Sequence, residues 1–286
     1  MSALEAPGHT LNAAALLARR PWGLYVAVGF AVLLLVAVVA PHLLTSKDPS
    51  ALDYPAALQA PSLAHWFGTD ESGRDLYTRV VFGAAISLPI GLGAAAVGIV
   101  LALLLGSTAA LAPRVIGAAV DRLLEVMFAF PALLLALLLI TVTGPSAISE
   151  VFAVGLGTAP GYARMVRGQI NAAKGAAYVE AATALGHSRS RIVRVHILPN
   201  ALRPLVAVFA LSIGQSIVWA SSLSFLGLGV APPSPEWGAL LDAGRSYVTV
   251  APWLLVIPGL VVVAVSIAAT TIGRHLQSRL ERGDRA

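Results

Sequence analysis

Six stretches of this chain contain no charged residue: 21–46, 80–113, 126–149, 151–163, 204–235 and 246–273. Five are at least 24 residues long, and a helix needs about 20 apolar residues to cross ~30 Å of hydrocarbon. Backbone groups in lipid must find partners within their own segment, so such stretches fold as helices. The fourth has only 13 residues. Extended back past Glu150 to Ala147, it begins after the breakers Gly144 and Pro145 and places a carboxylate at the positive end of the helix dipole. Only 12% of residues are charged, against about 25% in soluble domains. The expected fold is therefore all-α: a polytopic membrane protein with six transmembrane helices. Arg19 and Arg20 would also suit a cleaved signal, but signal cores run about 7–15 residues and 22–44 is uninterrupted, which favours an uncleaved span.

Placing the N-terminus in the cytoplasm puts 1–21, 113–125, 164–203 and 273–286 inside, with 15 of the 19 Lys and Arg residues. The outside segments 45–79, 144–150 and 230–251 hold the other four. That bias sets both termini in the cytoplasm. The chain then divides into 1–79 (N-terminus, first span and external loop), 80–273 (a core of five spans carrying an inside segment at 174–200) and a tail at 274–286. In the second span Ala94, Gly98, Ala102, Gly106 and Ala110 fall on every fourth position, forming one helical face on which a neighbouring backbone can approach closely.

What is missing narrows the function. No span centre holds an ionisable residue of the kind that ion-coupled transporters need. The two lysines, Lys47 and Lys174, precede Asp48 and Gly175, so no phosphate-cradling G-x-x-x-x-G-K-[ST] loop exists and another polypeptide must supply any energy. Without cysteine there is no thiolate metal site or disulfide. Asp70, Glu71 and Asp75 fit no calcium loop and read as solvated acids beside Arg74. His187 and His196, nine residues apart, are not i, i+4 ligands and read as interfacial hydrogen-bonding groups. No metal site, cofactor, nucleic-acid partner or catalytic constellation is expected.

The inside segment is the most informative. Residues 178–185 read as a short helix of good formers, Gly186 as a left-handed cap, and 188–196 as a second short helix carrying Arg189, Arg191 and Arg194 that Pro199 closes. Basic residues held against anionic lipid would explain the arginines, each contributing about 1 kcal/mol, but not Glu180, Gly186 and Pro199. These last residues resemble the E-A-A-x-x-x-G … L-P motif of permease subunits in bacterial ABC importers. Glu180, Ala181, Ala182, Gly186, Leu198 and Pro199 match, and His196 departs from the isoleucine common there in the manner of the peptide and nickel branch. The runs from Trp66 to Asp75, Gly83 to Leu88 and Phe225 to Gly238 resemble the same branch, in its dipeptide-importer C-subunit type.

The resemblance implies a permease in the bacterial plasma (inner) membrane, working with a second homologous permease subunit, two ATPase subunits that bind ATP and Mg, and an external solute-binding protein. It makes Glu180, Ala181, Ala182, Leu185, Gly186 and Arg189 a coupling segment that docks on an ATPase. It also implies a pathway at the interface with the second permease. Ser212, Gln215 and Ser216, polar side chains within the fifth span, are candidate lining residues. Trp66, Trp237 and Tyr247, in two outer loops, are candidate docking residues for the binding protein. Peptides are the expected cargo, with nickel or a small solute such as glutathione as the alternative. A stand-alone channel is the reading from another class, and a membrane enzyme lacks the side chains to support it.

Overall fold

The computed structural model describes residues 22–283, with side chains to Arg279; the N-terminal segment 1–21 and the last three residues of the tail lie outside the described residues. Ten α-helices follow in order among the described residues: α1 (Trp22–Val39), α2 (Leu76–Leu111), α3 (Arg114–Ala129), α4 (Ala132–Thr143), α5 (Ala147–Lys174), α6 (Ala177–Ala184), α7 (Arg189–Arg191), α8 (Leu198–Phe225), α9 (Trp237–Arg245) and α10 (Trp253–Gly283). A π-helical turn, Ile192–Ile197, joins α7 to α8.

The small-residue ridge is the main seam. Ala94, Gly98, Ala102, Gly106 and Ala110 are all buried, and α2 packs along α5 more extensively than any other pair of helices. A Cβ on Gly106 would lie 2.5 Å from the Ala163 carbonyl oxygen, one on Gly98 2.8 Å from Thr158 Oγ1, and one on Gly155 3.1 Å from the Ala94 carbonyl. The two backbones come so close only because glycine stands at those crossings. On the other side of the bundle α8 meets α10 through Gly214 and Gly273, whose added Cβ atoms would reach Ser266 O at 2.9 Å and Leu211 N at 3.0 Å.

Four helices, α1, α2, the run 189–225 and α10, are long and apolar enough to cross a membrane. The expected third span, 126–149, is not one helix. It breaks at Phe130 and Pro131, where α3 and α4 meet at 93°. Proline drives the residue before it out of the helical region, and Phe130 is extended at φ −90°, ψ 136°. The 12-residue α4 therefore rises only about 18 Å. The helix expected as the fourth span, α5, starts at Ala147 with Ser146 capping Ser149 N, but it is not among the helices long and apolar enough to cross. Pro199 does not close the second short helix. It lies within the unbroken helical run 189–225, in the first turn of α8, where the wider π turn before it accommodates the ring.

The external loop is ordered by charge. Asp75 caps α2 through Thr78 N (2.9 Å) and lies 2.8 Å from both Lys47 Nζ and His65 Nδ1. Asp70 accepts from Arg74 Nε at 2.7 Å and pairs with Arg79 at 3.2 Å, and Arg79 Nη2 donates to the carbonyls of Pro233 and Ser234. Asp70 and Asp75 are 4% and 7% exposed. The expectation of solvated acids is corrected: nearby cations and backbone donors offset the cost of burying them.

Two outcomes are expected. Gly106→Val places its side chain against the Ala163 carbonyl and Val166 and should destabilise the fold by about 1–3 kcal/mol as overpacking does, whereas Gly161→Ala meets nothing within 4 Å inside α5 and should stabilise it by up to about 1 kcal/mol, both read by thermal unfolding in detergent. Burial pushes the Asp75 carboxyl up, but Lys47, Thr78 N, His65 and the Thr78 hydroxyl outweigh it and hold the group below its ordinary value. A lowered folded-state value means that the stabilisation is complete above the unfolded value of about 3.9 and is lost as pH falls through the folded one. Pepsin cleavage within 48–66 should therefore rise as pH drops below about 4, and Asp75→Asn, which keeps the cap but loses the charge, should cleave faster already above that range. A variant as resistant as wild type would remove the carboxylate charge from this role.

Candidate functional site

On the face expected inside, α6 forms a small amphipathic knob. Val179 and Ala182 are buried in the cluster that also holds Ala163, Val166 and Ile170 of α5 and Ile197 and Ala201 of the α8 arm. Glu180, Ala181, Leu185, Gly186 and Arg189 are exposed, Leu185 at 76%. The knob ends in a Schellman cap: Gly186 N donates to Thr183 O (2.9 Å) and His187 N to Ala182 O (3.1 Å), with Gly186 at φ +74°. That conformation suits glycine because a Cβ there crowds the chain's own carbonyl. Arg189 Nη2 donates to Leu111 O at 3.4 Å and Lys174 Nζ to Ala110 O, so cations from the knob's two flanks satisfy the last carbonyls of α2. His187 and His196 stack across the bend with centroids 5.9 Å apart. Among the described residues His187 Nδ1 and His196 Nε2 are buried with no hydrogen-bond partner.

The polar residues of the fifth span separate. Ser212 and Ser216 are each 1% exposed, and Ser212 Oγ donates to Phe209 O at 2.8 Å within its own helix. Both are buried within this chain, with Ser212 also beside the Tyr162 hydroxyl. Gln215 is exposed and accepts from Tyr162 OH at 3.0 Å. Together they line an open cavity of about 370 Å³ beside Phe128, Phe130, Pro131 and Trp219. The α3–α4 break thus supplies one wall, and Arg164 sits 4.0 Å from the Phe128 ring at its edge. Tyr162 and the aromatic wall escaped the sequence reading because nothing in the sequence sets the rotation of α5 relative to α8; Pro131 was the available signal.

At the opposite end Trp237 is fully buried. Its Nε1 donates to Val80 O at 2.9 Å, and its indole closes over Gly83, so the expected docking role is corrected: its polar atom finds a backbone partner inside the fold. Trp66 is 61% exposed and packs on Tyr77 at 4.9 Å, while Tyr247 is half-buried against the core. Two acids form a further polar cluster here that sequence reasoning missed. Glu236 caps α9 and accepts from Ser87 Oγ at 3.0 Å, and Glu150, fully buried, accepts from Ser224 Oγ at 3.0 Å.

Similar proteins fit this arrangement. A dipeptide transport system permease protein from Alkalihalophilus pseudofirmus is 37% identical over 87% of this chain and 81% of its own length. A glutathione transport system permease protein from Pectobacterium atrosepticum is 37% identical over 90% and 86%. A probable D,D-dipeptide transport system permease protein from Escherichia coli is 36% identical over 89% and 85%. Among solved structures, an amino acid ABC transporter superposes with a TM-score of 0.60 at 18% identity, over 71% of this chain and 95% of that one. A methionine ABC transporter in an inward-facing form gives 0.53 at 20%, over 70% and 96%; both likenesses show the fold. With residues 98–282 matching the binding-protein-dependent transport system inner membrane component and these relatives spanning most of its length, the chain belongs to that family, the permease subunits of ABC importers.

Proposed function

We propose that this permease forms half of the translocation pathway of a peptide importer, paired with a second homologous permease and driven by two ATPase subunits that bind ATP and Mg. The observation that carries the reading is the knob. An apolar Leu185 stands exposed beside Glu180 on a short helix whose other face is buried and whose end is fixed by the Gly186 cap. A rigid protrusion of this kind suits a groove on an ATPase and can carry a rigid-body movement to the spans. Glu180, Ala181, Leu185 and Arg189 are the contact residues of this reading, with Ala182 anchoring the knob.

The Tyr162–Gln215 pair supports a pathway on the α5 and α8 face, where an amide, a phenol and aromatic rings offer the hydrogen bonds and flat apolar surface that a peptide backbone and its side chains require. Dipeptides and glutathione, named for the relatives, share that chemistry, and this favours peptide over nickel as cargo. Trp66 and the loop around it remain the docking candidate for an external solute-binding protein, with Tyr247 as a secondary edge. The six-span topology, with both termini in the cytoplasm of the bacterial inner membrane, rests on the 15 to 4 division of Lys and Arg. In it the α3–α4 pair serves as the broken third span and α5 as the fourth.

Topology is open to direct measurement because the chain has no cysteine. Single cysteines at Ser46 and Asp242 should react with an impermeant thiol reagent from outside intact cells, and one at Ser188 should not; labelling at 188 would reverse the orientation. Coupling is tested by Gly186→Val. The added side chain meets nothing within 4 Å, so its effect comes from the positive φ, at roughly 1–2 kcal/mol. That is enough to reorient the knob without unfolding the spans. In the full complex reconstituted with its binding protein, Gly186→Val should retain assembly and lose both dipeptide uptake and binding-protein-stimulated ATP hydrolysis. Wild-type uptake by the variant would end the coupling assignment, and wild-type complex that accumulates nickel but no peptide would end the cargo assignment.

A further inference from the structure

Two acids are buried at the end of the bundle opposite the knob, and they are served unequally. Glu236 accepts from Ser87 Oγ at 3.0 Å, Gly238 N at 2.9 Å and Ala239 N at 2.7 Å, the backbone donors that suit a buried carboxylate. Glu150 is 0% exposed and accepts from Ser224 Oγ at 3.0 Å, while its Oε2 is buried with no hydrogen-bond partner among the described residues. No cation compensates it. α4 has no ionisable residue and α8 has only Arg203, near its other end. Arg79 of α2 is engaged by Asp70, and Asp242 and Arg245 of α9 pair with each other. The charge that acts on Glu150 is the negative one of Glu236.

We infer that Glu150 holds a proton, and that as a neutral acid it latches α5 to α8 until that proton leaves. An ionised carboxylate here would have one donor, a bare buried oxygen and a like charge nearby, the costliest state for a buried group. The neutral acid keeps the Ser224 bond and removes the repulsion between the two acids. Ser224 is where three elements meet. Gly227 N donates to its carbonyl at 2.8 Å in the turn that ends α8, and a Cβ on Gly238 of α9 would lie 2.4 Å from Ser224 Cβ, so α9 rests on the residue that Glu150 holds. When the Glu150 O–H breaks and its proton passes to solvent, two negative charges share the cluster, and α9 withdraws from Ser224. The fold keeps a proton that a glutamate in water, titrating at about 4.3, gives up. The latch is therefore complete in acid and at neutral pH and is lost as pH rises.

Infrared spectroscopy on the assembled importer in vesicles reads the proton directly. At about pH 7, where a glutamate in water is ionised, the wild-type complex should show the C=O band of a buried carboxylic acid. Glu150→Gln should remove that band. Ser224→Ala, which takes away the hydroxyl donor, should shift it to higher frequency without removing it, and so assigns the band even if the glutamine variant fails to fold. Hydrogen exchange supplies the second readout. Raising the pH should strip the band from wild type and, in step, cost 237–245 its protection relative to Glu150→Gln, which stays latched throughout. A wild-type complex without the band at about pH 7 would overturn the proposal. So would a band that neither substitution alters, or protection of 237–245 that follows pH alike in wild type and Glu150→Gln.

Discussion

Backbone contact between α2 and α5 is the constraint around which the other helices are arranged. Lipid tails are as apolar as leucine, so no hydrophobic force gathers the spans, and what remains is close packing. Gly98 and Gly106 on one helix and Gly155 on the other remove the side chains that would hold these backbones apart. Once that seam is closed, the α5 faces left over receive α4 and the α8 arm. The cavity lined by Tyr162 and Gln215 is what this geometry leaves open, because the α3–α4 break at Pro131 prevents a straight helix from covering it.

The two ends of the seam are finished by different chemistry. Outside the apolar zone, charge orders the chain: Arg79 ties Asp70 of the first loop to the Pro233 and Ser234 carbonyls of the last, and Glu236 and Ser87 lock α9 onto α2. At the other end, cations close the free carbonyls of α2 through Lys174 and Arg189. Removing one partner of such a buried pair leaves an uncompensated charge, so the outer loops behave as one unit with the spans beneath them. A docked binding protein would push against a fixed surface.

How much of this was legible depended on the range of the physics involved. Charge-free windows located α1, α2, α8 and α10 because hydrocarbon imposes its requirement residue by residue. The Gly186 cap was legible because a left-handed residue after a run of helix formers is a local rule. Pro131 was equally local, yet the continuous apolar run from 126 onward concealed a 93° turn. Trp237 was misplaced for another reason. A polar atom on an apolar side chain suits an interface, a pore or a core with one hydrogen bond, and only the rotation of the helix and its neighbours distinguishes them. Glu150 lies near the end of its apolar stretch, where an exposed first-turn position is the simplest reading; its burial against Ser224 is a tertiary fact.

Between the knob and the Tyr162–Gln215 cavity the chain is continuously helical from Arg189 onward. From Ser188 it runs without a loop through α7, the π turn and α8, and the stacked rings of His187 and His196 brace the bend where it begins. Gln215 stands seventeen residues after Leu198 on the same helix, about 26 Å away. Under the proposed coupling role a displacement of the knob would rotate α8 as a lever or be absorbed where helical hydrogen bonding is irregular, at Pro204 inside α8 or at the π turn. Absorption there is opposed by Ile192 and Ile197, which are buried in the cluster that also anchors Ala182 and α5. In the proposed role the movement would instead pass to α8 and α5 together, the two helices that carry Gln215 and Tyr162, so that a push at the knob would reach both walls of the groove.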